Sequence, residues 1–244
     1  MLLIPAFSAV ITVGKLNLAY VFLLLSSLSF TIGRYPVLLL VKRWHKRENN
    51  LKEPLVWSLI YLSLSLILFL PLPIYYHLYL LGFFILLPVF LLGLNAIQVI
   101  QKTQRDMLNE FIGIVGLSLI APAGYYALTG GYSYLPQSYL WFGNMLYFSG
   151  TIFYVKSQTT GKPYDLLSLI YYSLTLLIAL SISLWLPYPW YIGLAFIPAF
   201  IKSLYGYLKG FTKPPIRTVG IIELIHSVVF GVAYGILLSS AMNV

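Results

Sequence analysis

An all-α, polytopic bundle of about nine transmembrane helices, with its N-terminus cytoplasmic, is the fold this sequence predicts. Three observations carry it. First, 60% of the 244 residues are hydrophobic and only 9% are charged, with a mean hydropathy of +0.88. A water-soluble domain carries roughly 25% charged residues, so this chain needs the bilayer as its solvent. Second, the apolar residues come in runs close to the roughly 20 that a spanning helix requires. Third, the cations fall in alternate loops, the pattern that orients membrane helices.

The runs lie near 1–14, 17–40, 54–71, 76–100, 111–129, 138–155, 165–186, 189–208 and 219–240. All exceed the roughly 9–11 alternating residues of a membrane barrel strand. The connections are brief, and nothing between the runs can bury a core of its own, so one integral membrane domain over 1–244 is expected. The first run is short. Met1–Val13 would extend about 20 Å at roughly 1.5 Å per residue, against roughly 30 Å of hydrocarbon.

Orientation follows from the loops. Lys42, Arg43, Lys46, Arg47 and Lys52 follow the second run, Lys102 and Arg105 the fourth, Lys156 and Lys162 the sixth, and Lys209, Lys213 and Arg217 the eighth. The opposite side has only Lys15. Even-numbered loops are therefore placed in the cytoplasm and the C-terminus outside, in a prokaryotic plasma membrane. Fifteen Lys and Arg against six Asp and Glu give a net charge of +9. In a soluble protein that excess points first to nucleic acid; here it reads as topology and attraction to anionic lipid, and no nucleic-acid partner is expected. The 21 Tyr suit the headgroup level. With no Cys, disulfides, thiolate metal sites and Cys nucleophiles are excluded. MLLIPAFSAVITVG lacks a basic n-region and a small-residue cleavage site, so it reads as membrane helix and not as a cleaved signal.

Pro5, Pro36, Pro88, Pro122 and Pro198 lie inside runs. They are read as kinks re-satisfied by neighbouring helices, or as broken helices lining a cavity. LIPAF at 3–7 and FIPAF at 196–200 are too cheap a match in so apolar a chain to count as a repeat.

Ionisable groups inside membrane spans are costly and therefore functional candidates. Here they are Arg34, Arg105, Asp106, Asn109 with Glu110, Lys202, Arg217, Glu223 and His226, all expected in the cytoplasmic half. In the ninth run Gly220, Glu223, Ser227, Gly231 and Gly235 form one stripe at i+3/i+4 steps. Small residues mark a face that packs on another helix, so Glu223 should point into the bundle, with His226 beside it. Asn109, Glu110, Gly113, Gly116 and Gly124 make a similar face on the fifth run. The two carboxylates are placed to meet across that packing, each within reach of Arg34, Lys202 or Arg217. The bland alternatives stay beside this reading. Arg105, Asp106 and Arg217 lie within a turn of a helix end and can simply be solvated. Lys202 can snorkel to the interface, and Glu110 and Glu223 can be structural ion pairs. His45 and His77 read as interfacial.

The sequence has no HExxH, no GxxxxGK[ST], no Gly-rich dinucleotide fingerprint and no placed Ser/His/Asp set. No run carries two His, which excludes a haem pair within one span. Six acidic residues are too few for a multi-magnesium cluster, and no metal or other cofactor is assigned.

RDMLNEFIGIVGLSLIAPAGYYALTGG (105–131), LWFGNMLYFSGTIFYVK (140–156) and VGIIELIHSVVF (219–230) together resemble the YwiC-like family of prokaryotic membrane proteins. The resemblance runs over most of the chain and implies membrane helices but no particular activity. Members of that family usually begin with a short segment containing a His-Gly pair before a run like MLLIPA. Here that run starts at Met1, so the reading frame is expected to open further upstream. A weaker, topological resemblance is to the UbiA-type intramembrane prenyltransferases. Those enzymes hold an isoprenoid diphosphate through magnesium on two Asp-rich loop motifs, the second and the sixth. Here the second loop has Glu48 and Glu53 but no Asp, and the sixth has only Asp165 beside it. No catalytic residue carries over; a lipid-accessible cavity with a cationic cytoplasmic mouth does.

Three functional readings result. The leading one is a membrane protein that binds or processes an amphipathic lipid with an anionic head, such as an isoprenoid phosphate or a quinone precursor. Arg34, Lys202 and Arg217 would neutralise the head, and Glu110 and Glu223 would orient it or move protons. The second is a small transporter coupled to protons through Glu223 and His226. The outer half, where Asn95 and Asn144 are grouped with Tyr and Trp, offers it no charged path. The third is a structural or assembly partner of a respiratory complex.

Overall fold

A computed structural model describes residues 2–100, 107–160, 164–181, 189–209 and 214–242. Among these the elements are helical and no strand occurs: α1 (Leu3–Val13), α2 (Leu18–His45), α3 (Lys52–Phe69), α4 (Pro71–Tyr75), α5 (Leu81–Ile100), α6 (Met107–Ser118), α7 (Ile120–Thr129), α8 (Tyr134–Thr160), α9 (Tyr164–Ser181), a 3₁₀ segment (Trp190–Phe196), α10 (Ile197–Lys209) and α11 (Ile216–Met242). Seven stretches among the described residues are long and apolar enough to cross a bilayer. They take in α2, α3 with α4, α5, α6 with α7, α9, the 3₁₀ segment with α10, and α11. The protein is thus an all-helical, multi-pass membrane protein. The two remaining expected crossings differ for separate reasons. α1 has 11 residues. α8 has 27 residues, ample to span, but carries Gln137, Asn144, Ser149, Thr151 and Ser157, all buried. A helix sheathed by other helices can carry polar groups that a lipid-facing one cannot.

Two expected single helices are broken. The fifth run begins earlier, at Met107, and divides at Leu119 into α6 and α7. Pro122 has no N–H for the Ser118 carbonyl, and the Leu119 N–H closes a tighter bond to Gly116 at 3.3 Å. The eighth run opens as a 3₁₀ segment and becomes α10 only at Ile197, just before Pro198.

The described residues form two compact units. The first holds Leu2 and Lys15–Gln137. Asn17 caps α2 here: its Oδ1 accepts from the Tyr20 N–H at 2.8 Å, and its Nδ2 donates to the Ala127 carbonyl at 2.9 Å. That fastens the start of α2 to the end of α7, which stops at Gly130 with φ +70°. α2 and α3 cross closely. Ser26 Oγ donates to the Ser65 carbonyl at 2.8 Å and Ser65 Oγ to the Ser26 carbonyl at 3.0 Å. A Cβ on Gly33 would stand 2.9 Å from Tyr61 Cβ, so only glycine allows this approach.

The second unit holds Leu3–Gly14 and the described residues from Ser138 on. α1 lies along α11 because Gly231 and Gly235 leave no room for more than hydrogen. Added Cβ atoms would come 2.6 Å from Ile4 and 2.8 Å from Ile11. On α8, Asn144 Nδ2 donates to Ser8 Oγ at 3.2 Å. Tyr147 stacks on Phe230 at 3.9 Å between centroids, and the Tyr234 hydroxyl donates to the Tyr139 carbonyl at 2.6 Å. Aromatic stacking and small-residue contacts replace the hydrophobic drive that lipid removes.

Candidate functional site

Among the described candidates, Lys202 and Glu223 neutralise each other, whereas Arg34 is held by a neutral amide. The pair lies in the second unit. Lys202 Nζ donates to Glu223 Oε1 at 2.6 Å, and both residues are buried. The ammonium also sits 4.1 Å from the Tyr154 ring centroid and 5.6 Å from that of Tyr172. Lys202 is therefore held by a carboxylate and aromatic faces and does not snorkel. α11 buries Val219, Glu223, Ser227, Phe230, Gly231, Tyr234, Gly235 and Leu238, which is the expected stripe with one correction. Gly220 is exposed and Val219 takes its place, since a step of four back from Glu223 lands there. Arg217 is exposed at the start of α11. His226 is half-buried, and its Nδ1 lies 2.9 Å from the Ile222 carbonyl of its own helix.

Arg34 is half-buried on α2 in the first unit. Its Nη2 donates to Asn95 Oδ1 on α5 at 3.1 Å, while Asn95 Nδ2 donates to the Leu91 carbonyl at 2.8 Å. The amide is thus oriented by its own helix to face the guanidinium. Gly113 on α6 lets the side chain pass, since a Cβ there would lie 3.8 Å from Nη1. Among the described residues no carboxylate stands within ion-pair distance of Arg34. Asn95 was grouped above with the outer half. Its bond to Arg34 sets the two residues at one level of the bundle, five residues before the α5 end at Ile100, so an outer Asn95 and an inner Arg34 do not both hold.

Arg34 and Asn95 border a cavity of about 370 Å³ whose lining comes from α2, α3, α5, α6 and α7, with Leu2. Ser26, Ser65 and Thr31 add polar atoms, and the rest is mainly Leu, Ile and Phe. Leu66 and Val89 also line it and are 59% and 49% exposed. The cavity lining therefore reaches the apolar outer surface on α3 and α5. Asn109 and Glu110 stand in the first turn of α6, one turn before Gly113. Arg105 and Asp106 lie outside the described residues. Arg43 donates to the Asn50 carbonyl at 2.9 Å and meets Glu48 at 3.9 Å, which ties up a carboxylate of the second loop. Among the described residues no three His, Asp or Glu gather where a metal ion could sit.

Residues 1–125 match the family described as YwiC-like protein. The chain belongs to the YwiC-like family. The matched stretch contains the whole Arg34 cavity and most of 105–131, whereas 140–156 and 219–230 fall beyond it. A Haemophilus influenzae protein described as uncharacterized is similar to this YwiC-like chain, at 29% identity over 217 residues, covering 87% of this chain and 84% of its own length. No solved structure matches.

Proposed function

We propose that this YwiC-like chain binds an amphipathic lipid with an anionic head in the first-unit cavity, in the plasma membrane of a prokaryote. The observation that carries the reading is Arg34: a half-buried guanidinium, held by a neutral amide, beside an apolar cavity whose lining reaches the apolar outer surface. A charge in a membrane span requires a counter-charge or water. A phosphate or carboxylate head would supply one through a bidentate contact that a lysine could not match.

The cavity volume falls within the range of roughly 300–1,000 Å³ usual for small-molecule sites. An acyl or isoprenoid tail would lie along the Leu and Phe lining and leave past Leu66 and Val89. Glu110, on the turn before Gly113, and Asn109 are proposed to face the head from the helix end. The positive-inside pattern of the loops supports a cytoplasmic position for that end. Lys202 and Glu223 drop out of the head-binding set because they satisfy each other, and Arg217 and His226 have no role in it. The weaker likeness to UbiA-type enzymes supports an isoprenoid phosphate or a quinone precursor as the lipid.

Native mass spectrometry of the purified full chain tests this. The wild type should retain an anionic lipid adduct, and Arg34→Gln and Arg34→Ala should lose most of it. A bare wild type, or an adduct unchanged in both variants, would refute the proposal.

A further inference from the structure

The neutralised pair in the second unit leaves polar atoms over. Glu223 Oε2 is buried and has no hydrogen-bond partner among the described residues. The Tyr172 hydroxyl is in the same condition, on a residue with no exposed surface. Tyr147, 1% exposed, also leaves its hydroxyl without a hydrogen-bond partner among the described residues. These groups belong to one cluster. Lys202 Nζ joins Glu223 at 2.6 Å and lies 5.6 Å from the centre of the Tyr172 ring. Ser227 is one turn beyond Glu223 on the same buried stripe, and Tyr147 stacks on Phe230 a turn later. The Tyr172 ring is fixed by Gly150, where a Cβ would stand 2.5 Å from its Cζ.

A carboxylate oxygen and two phenols sealed in hydrocarbon are each expensive without a partner. The phenols are donors and the carboxylate is an acceptor, yet they do not meet directly. A water molecule with two to four polar partners closes such a gap. We infer that bound water bridges Glu223 Oε2 to the Tyr172 hydroxyl, with Tyr147 and Ser227 at its edge, making the Lys202–Glu223 pair one corner of a closed internal hydration site. None of these residues lines the Arg34 cavity, and the inference does not depend on the lipid proposal.

The sign of one conservative substitution tests the inference. Removing a hydroxyl that binds water takes a hydrogen bond from the fold, whereas removing a dry, unpartnered hydroxyl relieves it. Tyr172→Phe in the full-length protein should therefore lower the thermal unfolding midpoint by a few degrees. Glu223→Gln should lower it as well, and the double variant by less than the sum, because both lose the same water. An unchanged or raised midpoint in Tyr172→Phe, or strictly additive shifts, would overturn the inference. An experimental structure at a resolution that orders water supplies the second check. Density within hydrogen-bond reach of both atoms is expected there, and a dry contact would refute the bridge.

Discussion

Lys202 and Arg34 are cations on helices of the same chain, and their surroundings differ in kind. Lys202 is enclosed: a carboxylate at 2.6 Å, two aromatic faces, and glycines that bring the neighbouring helices against them. Arg34 is open: an amide at 3.1 Å, a glycine that leaves ordinary room, and a cavity whose lining reaches exposed Leu66 and Val89. Intramembrane charge alone marks both as functional candidates. The partner is what separates them, since a charge already neutralised inside the fold has nothing to offer a ligand.

The sharpest way to break this contrast is to unpair the enclosed cation. Glu223→Leu strands an ammonium in the second unit and should cost roughly 3–5 kcal/mol, read as a drop in the thermal unfolding midpoint in detergent. Adding Lys202→Met to that variant should recover most of the loss, because a buried pair replaced by apolar groups is often neutral. A Lys202→Met/Glu223→Leu protein as unstable as Glu223→Leu alone would mean the pair does more than neutralise itself.

Packing gives the next largest difference. Gly150→Ala drives a methyl into the Tyr172 ring and should destabilise by about 1–3 kcal/mol. Gly113→Ala meets Arg34 only at van der Waals distance. It should change stability by less than about 1 kcal/mol, with the better helix propensity of Ala in its favour. Equal losses in the two variants would erase the distinction between a closed centre and an open one.

How far the sequence disclosed these two sites follows the range of the signal. The stripe from Glu223 to Gly235 is local, set by 3.6 residues per turn, so the direction of Glu223 was readable. Its partner was narrowed only to Arg34, Lys202 or Arg217, because Lys202 lies 21 positions away and helix packing alone selects it. Arg34 was visible as a charge in an apolar run. Its bond to Asn95 joins residues 61 positions apart, which no local pattern pairs. The break at Leu119 carried a signal in Pro122, but a proline marks a kink without saying whether the helix divides there. The polar residues of α8 look unfavourable for a span until the surrounding helices are in place.

Smaller effects sharpen the account of the open site. Arg34→Gln keeps a hydrogen-bonding group facing Asn95, so the fold should persist while bound anionic lipid falls about tenfold, or roughly 1.4 kcal/mol. Extraction and quantitation of co-purifying lipid would show it. Ser26→Ala removes one of the reciprocal bonds between α2 and α3. Hydrogen bonds between membrane helices average roughly 0.6 kcal/mol, so only a shift of that order is expected in the unfolding midpoint.

The two cations can be compared in a single experiment. Native mass spectra would be recorded side by side for the wild type, Arg34→Gln and the Lys202→Met/Glu223→Leu double variant. An open Arg34 site and a closed Lys202 site predict that the anionic lipid adduct falls about tenfold in Arg34→Gln and is unchanged in the double variant. An adduct that is unchanged in Arg34→Gln, or falls with the Lys202–Glu223 pair, would contradict that assignment.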